Sequence, residues 1–172
     1  VLRGDAERGF DRFERAEEIQ RFADAACVFR AAELGGRRLD ASSADGSRQD
    51  VIALRESIDR LFRDAVLRGC LALDAYGDML ARCAAALTGQ TGEAVAAGLP
   101  FGDPATPLRF EAGVALSALS LTDPATLPRI RICQNCRWLF VDRSRNSSRV
   151  WCDMLLCGNR NKARRHYRRR RA

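Results

Sequence analysis

Four cysteines close to the C-terminus are the residues of this sequence best placed to do chemistry. Cys133, Cys136, Cys152 and Cys157 stand as C-x2-C, a fifteen-residue gap, then C-x4-C. Two close pairs with a hairpin-length gap between them can surround one tetrahedral zinc with four thiolates. Four thiolates leave no open coordination position, so the metal is expected to be structural rather than catalytic. Four unrelated buried thiols would not explain the pairing, and a redox C-x-x-C needs a βαβ context that the flanking residues lack.

Beyond the last cysteine the chemistry changes to charge. Arg160, Lys162, Arg164, Arg165, Arg168, Arg169, Arg170 and Arg171 form a basic run with almost no apolar residue to bury. A free helix this positive repels itself and is expected to fray until an anion neutralises it. Arginine grips phosphate bidentately and reaches guanine edges, which points to nucleic acid. Arg145 and Arg149, on the turn between the cysteine pairs, extend the same candidate surface. The competing reading is a solvated charged tail. Asn159 is expected to cap the basic helix or hold the knuckle sooner than to read an adenine edge. Arg160 either meets phosphate or offsets the charge of the thiolates.

The whole chain, 172 residues with a net charge of +7, is unevenly charged. Residues 129–172 hold thirteen Arg and one Lys against two Asp, whereas residues 1–128 hold fifteen Arg against twenty Asp and Glu. Such segregation implies an anionic partner for the C-terminal end: nucleic acid first, an acidic protein or lipid surface otherwise. No apolar run approaches the roughly 20 residues of a membrane span. The opening VLRGDAERG has no apolar h-region and does not read as a signal peptide. The cysteine count is odd, and Cys27, Cys70 and Cys83 are isolated. They read as small buried hydrophobes in a reducing cytoplasm. An enzyme is not expected. His166, the single histidine, lies inside the arginine run; no nucleophile has a base, and no Gly-rich phosphate loop is present.

The elements that must carry this site read as helices. Residues 5–34 predict one, with Phe10, Phe13, Ile19, Phe22, Cys27 and Phe29 as an irregular stripe, Asp11–Arg15 and Glu17–Arg21 as ion pairs, and Gly35-Gly36 as its end. Residues 37–49 read as a loop. A second helix, 51–68, presents Val51, Leu54, Ile58, Leu61, Phe62 and Ala65 and stops at Gly69. A third, 71–87, presents Leu73, Tyr76, Leu80, Cys83, Ala84 and Leu87, antiparallel to the second. Residues 88–108 are broken by Gly and Pro, with room for a short strand at 94–97. A fourth helix covers 109–121, and Thr122-Asp123-Pro124 resembles a further helix start. Residues 138–141 and 150–152 predict the two strands of a hairpin with the cysteine pairs at its open end. Trp138 and Trp151 are expected to pack beside the site or against the helices.

The stretch WLFVDRSRNSSRVWCDMLLCGNRNKARRHYRRRR resembles the CGNR zinc-finger proteins of bacteria, named for the tetrapeptide that stands here as Cys157-Gly158-Asn159-Arg160. Trp138, Leu139, Phe140, Asp142, Ser144, Arg145, Asn146, Arg149, Trp151 and Cys152 fit the family's pattern. EEIQRFADAA, ALRESIDRLF and LSLTDPATLPRIRIC are similar to the accompanying stress-induced transcription regulator (ABATE) domain. The first cysteine pair is closer than is usual in the family, and the N-terminal strand segment that the resemblance leads one to expect is either absent or trimmed from the front of this sequence. The resemblance implies zinc binding and DNA-binding transcriptional control.

The expectation is therefore a mainly α fold: a helical domain over residues 1–128, then a zinc hairpin and basic helix over 129–172. The zinc would mount Arg145, Arg149, Arg160, Lys162, Arg164, Arg165, Arg168 and Arg169 on DNA. The helical part would form a homodimer or sense a signal. An RNA- or ribosome-associated module and a zinc-stabilised adaptor for an acidic protein are the alternatives.

Overall fold

The computed structural model describes residues 11, 13–31, 34, 36–41, 44–89 and 107–171. Within them the chain is mainly helical, and its helices surround a short apolar one. In chain order these are α1 (Ala16–Phe29), β1 (Leu39–Asp40), α2 (Ala44–Arg68), α3 (Leu73–Leu87), β2 (Leu108–Arg109), α4 (Phe110–Ser120), β3 (Ile130–Ile132), β4 (Leu139–Val141) and α5 (Asn159–Arg171). A 3-10 turn, Leu127–Arg129, precedes β3, and a π-turn, Met154–Gly158, precedes α5.

α4 is apolar on nearly every side, as a central helix must be. Phe110, Ala112, Gly113, Ala115 and Ala118 are all buried. Its first half completes a cluster with Ile19 and Ala23 of α1, Leu39 of β1, Val51 of α2 and Leu108 of β2. Phe13, Phe22 and Phe110 meet edge to face there, with centroids 5.6 to 6.1 Å apart. Its second half joins Leu54, Leu61 and Phe62 of α2 to Ala75, Met79 and Cys83 of α3. Ile130 of β3 belongs to that second cluster, with Leu139 and Val141 of β4 packed against it, so the cysteine hairpin is seated on the helical core.

Several expectations shift. The first helix runs only over Ala16–Phe29: residues 13–15 form a turn and bend instead of helix, and it ends six residues before Gly35, while Phe10 and the rest of 5–10 lie outside the described residues. Asp11 pairs with Arg55 of α2 at 2.6 Å instead of with Arg15, and Arg21 pairs with Glu18 instead of Glu17. Asp11 and Arg15 both precede the helix and Arg15 is extended, so the i,i+4 geometry is missing there, and Arg15 and Arg21 instead share Glu18 at i,i+3. Phe29 is 83% exposed, so the stripe is carried by Ile19 and Ala23. α2 begins at Ala44, inside the supposed loop. One glycine costs about 1 kcal/mol there, which propagation of a long helix absorbs.

α2 otherwise buries the expected face and ends at Gly69, whose φ of +73° is the left-handed stop that favours glycine. α3 keeps part of the expected face, with Cys83 buried and Tyr76 and Leu87 packed against the core, but Ala75 and Met79 are buried in place of Leu80 and of Leu73, which is 84% exposed. The i, i+4, i+8 row of small and flexible side chains lets α3 approach α2 and α4 closely. The strand considered at 94–97 lies outside the described residues. β2 instead pairs in parallel with β1, Leu39 opposite Leu108. Asp123 accepts from the N–H groups of Ala125 and Thr126 at 3.1 and 3.0 Å within a turn, but no helix starts at Pro124: a short 3-10 turn begins at Leu127, with Thr126 at its cap position and no side-chain cap. The isolated cysteines divide: Cys83 is buried, Cys27 is half-buried with its sulfur accepting from the Leu39 N–H at 3.2 Å, and Cys70 is exposed rather than buried. No described helix is long and apolar enough to cross a membrane.

Candidate metal centre

The hairpin that carries the first cysteine pair is built differently from the expected one. β4 pairs antiparallel with β3, Ile130 opposite Val141 and Ile132 opposite Leu139. Ile130-Arg131-Ile132 alternates and can bury its isoleucine side on the helices, whereas Val150 is exposed and 150–152 runs without ladder partners. Cys133 and Cys136 therefore sit in the closing turn, not at an open end. The Cys133 N–H donates to the Trp138 carbonyl at 2.8 Å and the Arg137 N–H to the Cys133 carbonyl at 3.0 Å. Arg137 takes a φ of 65°, left-handed for a non-glycine residue. Its carbonyl accepts from the Arg63 guanidinium of α2 at 3.0 Å, fixing the knuckle to the helical body.

The second pair is brought over this knuckle by backbone and carboxylate bonds. The Gln134 N–H donates to the Val150 carbonyl at 3.1 Å. Asp142 is fully buried and turns the intervening loop: it accepts from the Ser144 N–H at 2.9 Å and the Arg149 N–H at 2.8 Å. The Ser144 side chain, these N–H groups and the Arg149 charge hold its carboxyl down at about 2, against the opposing effect of burial. Arg129 closes the same loop from outside, donating to the Asp142 and Ser144 carbonyls at 2.9 and 2.5 Å. After Cys152, Asp153 caps the π-turn, its carboxylate accepting from the Leu156 N–H at 2.6 Å.

The result is a cluster whose four sulfurs all lie within 4.8 Å of one another. Cys152 is 3.6 Å from Cys136 and 3.6 Å from Cys157, sulfur to sulfur. Tetrahedral zinc with bonds of about 2.3 Å requires sulfurs roughly 3.8 Å apart, so the donor set fits. Cys133 and Cys157 are buried; Cys136 and Cys152 are half-buried. Burial opposes ionisation of Cys133, but the backbone N–H groups of Cys152, Cys136 and Asn135 outweigh it and bring the thiol down to about 6. Burial pushes Cys136 up to about 11, and burial with the adjoining sulfurs pushes Cys152 higher still. A divalent cation is the group that lets all four ionise together. These four residues would hold one zinc, which would supply cross-linking and no reaction chemistry.

The predicted nucleic-acid residues separate by position. Arg145 is exposed on the turn. Arg149 is half-buried: its guanidinium donates to the Cys152 carbonyl at 2.8 Å and lies 5.8 Å from the centre of the Phe140 ring. Arg160, Lys162 and Arg164 are exposed on α5, which is helical through Arg171. Arg165, Arg168 and Arg169 belong to the same helix; their side chains lie outside the described set. Asn159 already has helical backbone angles and an exposed side chain, so Asp153, not Asn159, caps the turn into α5. Gly158 is buried, and a Cβ there would lie 3.3 Å from Met154 and 3.5 Å from Trp151. An added Cβ would need only a small shift of the flexible Met154 side chain, and Trp151 packs beside the site.

The residues that sequence reasoning missed are Asp142, Arg129 and Arg63 as supports of the site. Asp142-x-Ser144 was readable as a side-chain turn motif; nothing local marks Arg63, whose partner is 74 residues away. Comparison with known proteins finds the family model of the CGNR zinc finger over residues 129–170. No curated protein and no solved structure matches the chain. By its tetrapeptide, its cysteine geometry and this match, the segment 129–170 is similar to the CGNR zinc finger.

Proposed function

We propose that this protein is a DNA-binding transcriptional regulator in which a structural zinc mounts the arginine helix on the duplex. The carrying observation is the direct junction of Cys157 with α5. The last sulfur of the cluster lies two residues before the first residue of a helix whose Arg160, Lys162 and Arg164 are exposed. Ligation there would fix the helix root, so that the charge of residues 160–171 is presented as a surface. A helix of this length spans about 20 Å, and the major groove admits one. The acidic balance of residues 1–128 disfavours a second phosphate-binding face, which leaves that ABATE-like body for dimerisation or signal sensing in a bacterial cytoplasm, in response to stress.

The test is binding of zinc-loaded protein to duplex DNA, structured RNA and heparin at several salt concentrations. If six to ten phosphates are met, log affinity for DNA should fall with log salt with a slope of roughly −5 to −9. Duplex DNA should compete better than heparin. Preference for structured RNA would favour the ribosome-associated alternative, and no preference over heparin would remove both.

A further inference from the structure

The π-turn between Cys152 and α5 holds three consecutive apolar side chains in solvent. Met154 is 49% exposed, Leu155 79% and Leu156 60%. Exposed apolar groups on a loose loop need no explanation, but this turn is pinned. The Asp153 carbonyl accepts from the Cys157 and Gly158 N–H groups at 3.0 and 3.1 Å, its carboxylate holds the Leu156 N–H, and metal-site sulfurs flank the turn on both sides. Trp151 and Met154 already fill the space over Gly158. The two leucines, 79% and 60% exposed, are thus held out on a pinned turn, and a fixed apolar projection marks a contact surface.

The surroundings select the occupant. The leucines stand at the root of α5, where the next residues outward, Arg160, Lys162 and Arg164, are exposed. A second copy meeting this patch would bring two strongly basic segments within a screening length of about 8 Å. A polyanion with an apolar interior meets both features at once, and duplex DNA is such a partner: phosphates outside, stacked bases within. Apolar wedges beside basic side chains are how proteins unstack a base step and bend the duplex toward their own charge. We propose that Leu155 and Leu156 form such a wedge, inserting at a base step where α5 meets DNA. This rests on the DNA-binding reading above and goes beyond it, since charge alone requires no insertion.

An inserted wedge unwinds DNA at any site, so no target sequence is needed to detect it. Zinc-loaded protein is bound to closed circular plasmid, the plasmid is relaxed with a topoisomerase, and the linking number is read after the protein is removed. The native protein should change the linking number. Leu155→Ala/Leu156→Ala should abolish that change, weaken DNA binding roughly tenfold by lost apolar burial, and leave the salt slope and the zinc content unaltered. Leu155→Ala alone, at the more exposed position, is the second variant and should lose part of both effects. Native protein that binds DNA without changing the linking number overturns the wedge and leaves the DNA reading standing. Failure to bind DNA overturns both. An equal loss of binding to polyglutamate would assign the patch to an acidic protein, and leucine-dependent self-association would assign it to a second copy; either result overturns the wedge.

Discussion

The guanidinium of Arg149 donates to the backbone carbonyl of Cys152 at 2.8 Å, tying the loop between the cysteine pairs to the first residue of the second pair. The backbone N–H of the same residue is held by the buried Asp142 carboxylate at 2.8 Å. Arg149 is thus fastened at both its backbone and its side-chain end. Arg149→Ala is expected to lower zinc affinity by roughly 10- to 100-fold, the usual cost of removing a support around metal ligands. Competition with a chelating dye measures this. Unchanged zinc affinity with weakened DNA binding would make Arg149 a phosphate contact only.

Arg164 shows the opposite pattern, exposed on α5 and remote from the sulfurs in sequence. Arg164→Ala should leave zinc stoichiometry intact and make the salt slope for DNA binding shallower by about 1, as for any single phosphate contact. A variant with the native slope would remove this residue from the interface.

Gly113 lets β1 lie against α4: a Cβ at this position would stand 2.8 Å from the Leu39 side chain. Gly113→Ala sets an overpacking cost of about 1–3 kcal/mol against the roughly 1 kcal/mol of helix propensity that Ala gains, for a net loss of up to about 2 kcal/mol. Adding Leu39→Val should recover part of the loss. Denaturant unfolding of the single and double variants checks both, and additive losses would show that the crowding is relieved elsewhere.

The Asp11–Arg55 pair joins the chain before α1 to α2. Hydrogen bonding from the Arg55 guanidinium holds the Asp11 carboxyl at about 2, below its ordinary 3.8. The folded-state value is depressed, so the unfolded chain takes up the proton first. The stabilisation is present above about pH 4 and disappears as pH falls toward 2. With solvent screening of the partly exposed pair it amounts to about 1 kcal/mol. Relative to Asp11→Asn, the native protein should be more stable at pH 6 and lose that advantage by pH 2. Both proteins shed metal in acid alike, so the difference isolates the pair. A difference independent of pH would contradict the assignment.

The parts of the fold legible in the sequence were those set by local pattern. The paired cysteines and the apolar rows of α2 needed only spacing. What escaped depends on distant packing. The β-prone Val150-Trp151 looked like a strand, but Ile130 had a helical core waiting beneath it, and that burial chose the hairpin partner. In α3 the bulky Leu73 and Leu80 drew the face toward themselves. Cys83 packs inward as its spacing predicts, but Ala75 and Met79 take the place of the leucines, because close approach to α2 and α4 favours small and adaptable side chains. The supports of the metal centre were invisible for the same reason: Arg63 reaches it from α2.

The most direct test of the account is DNA affinity against salt for the native protein and for Cys157→Ser, with metal content measured on the same samples. Cys157 is the ligand that joins the cluster to α5. The native chain should carry one zinc and show a slope of roughly −5 to −9. The variant should lose the zinc, bind more weakly and show a shallower slope, because its arginines no longer act as one surface. A metal-free variant that binds DNA with the native affinity and slope would contradict the claim that the four-cysteine centre is the mount of the arginine helix.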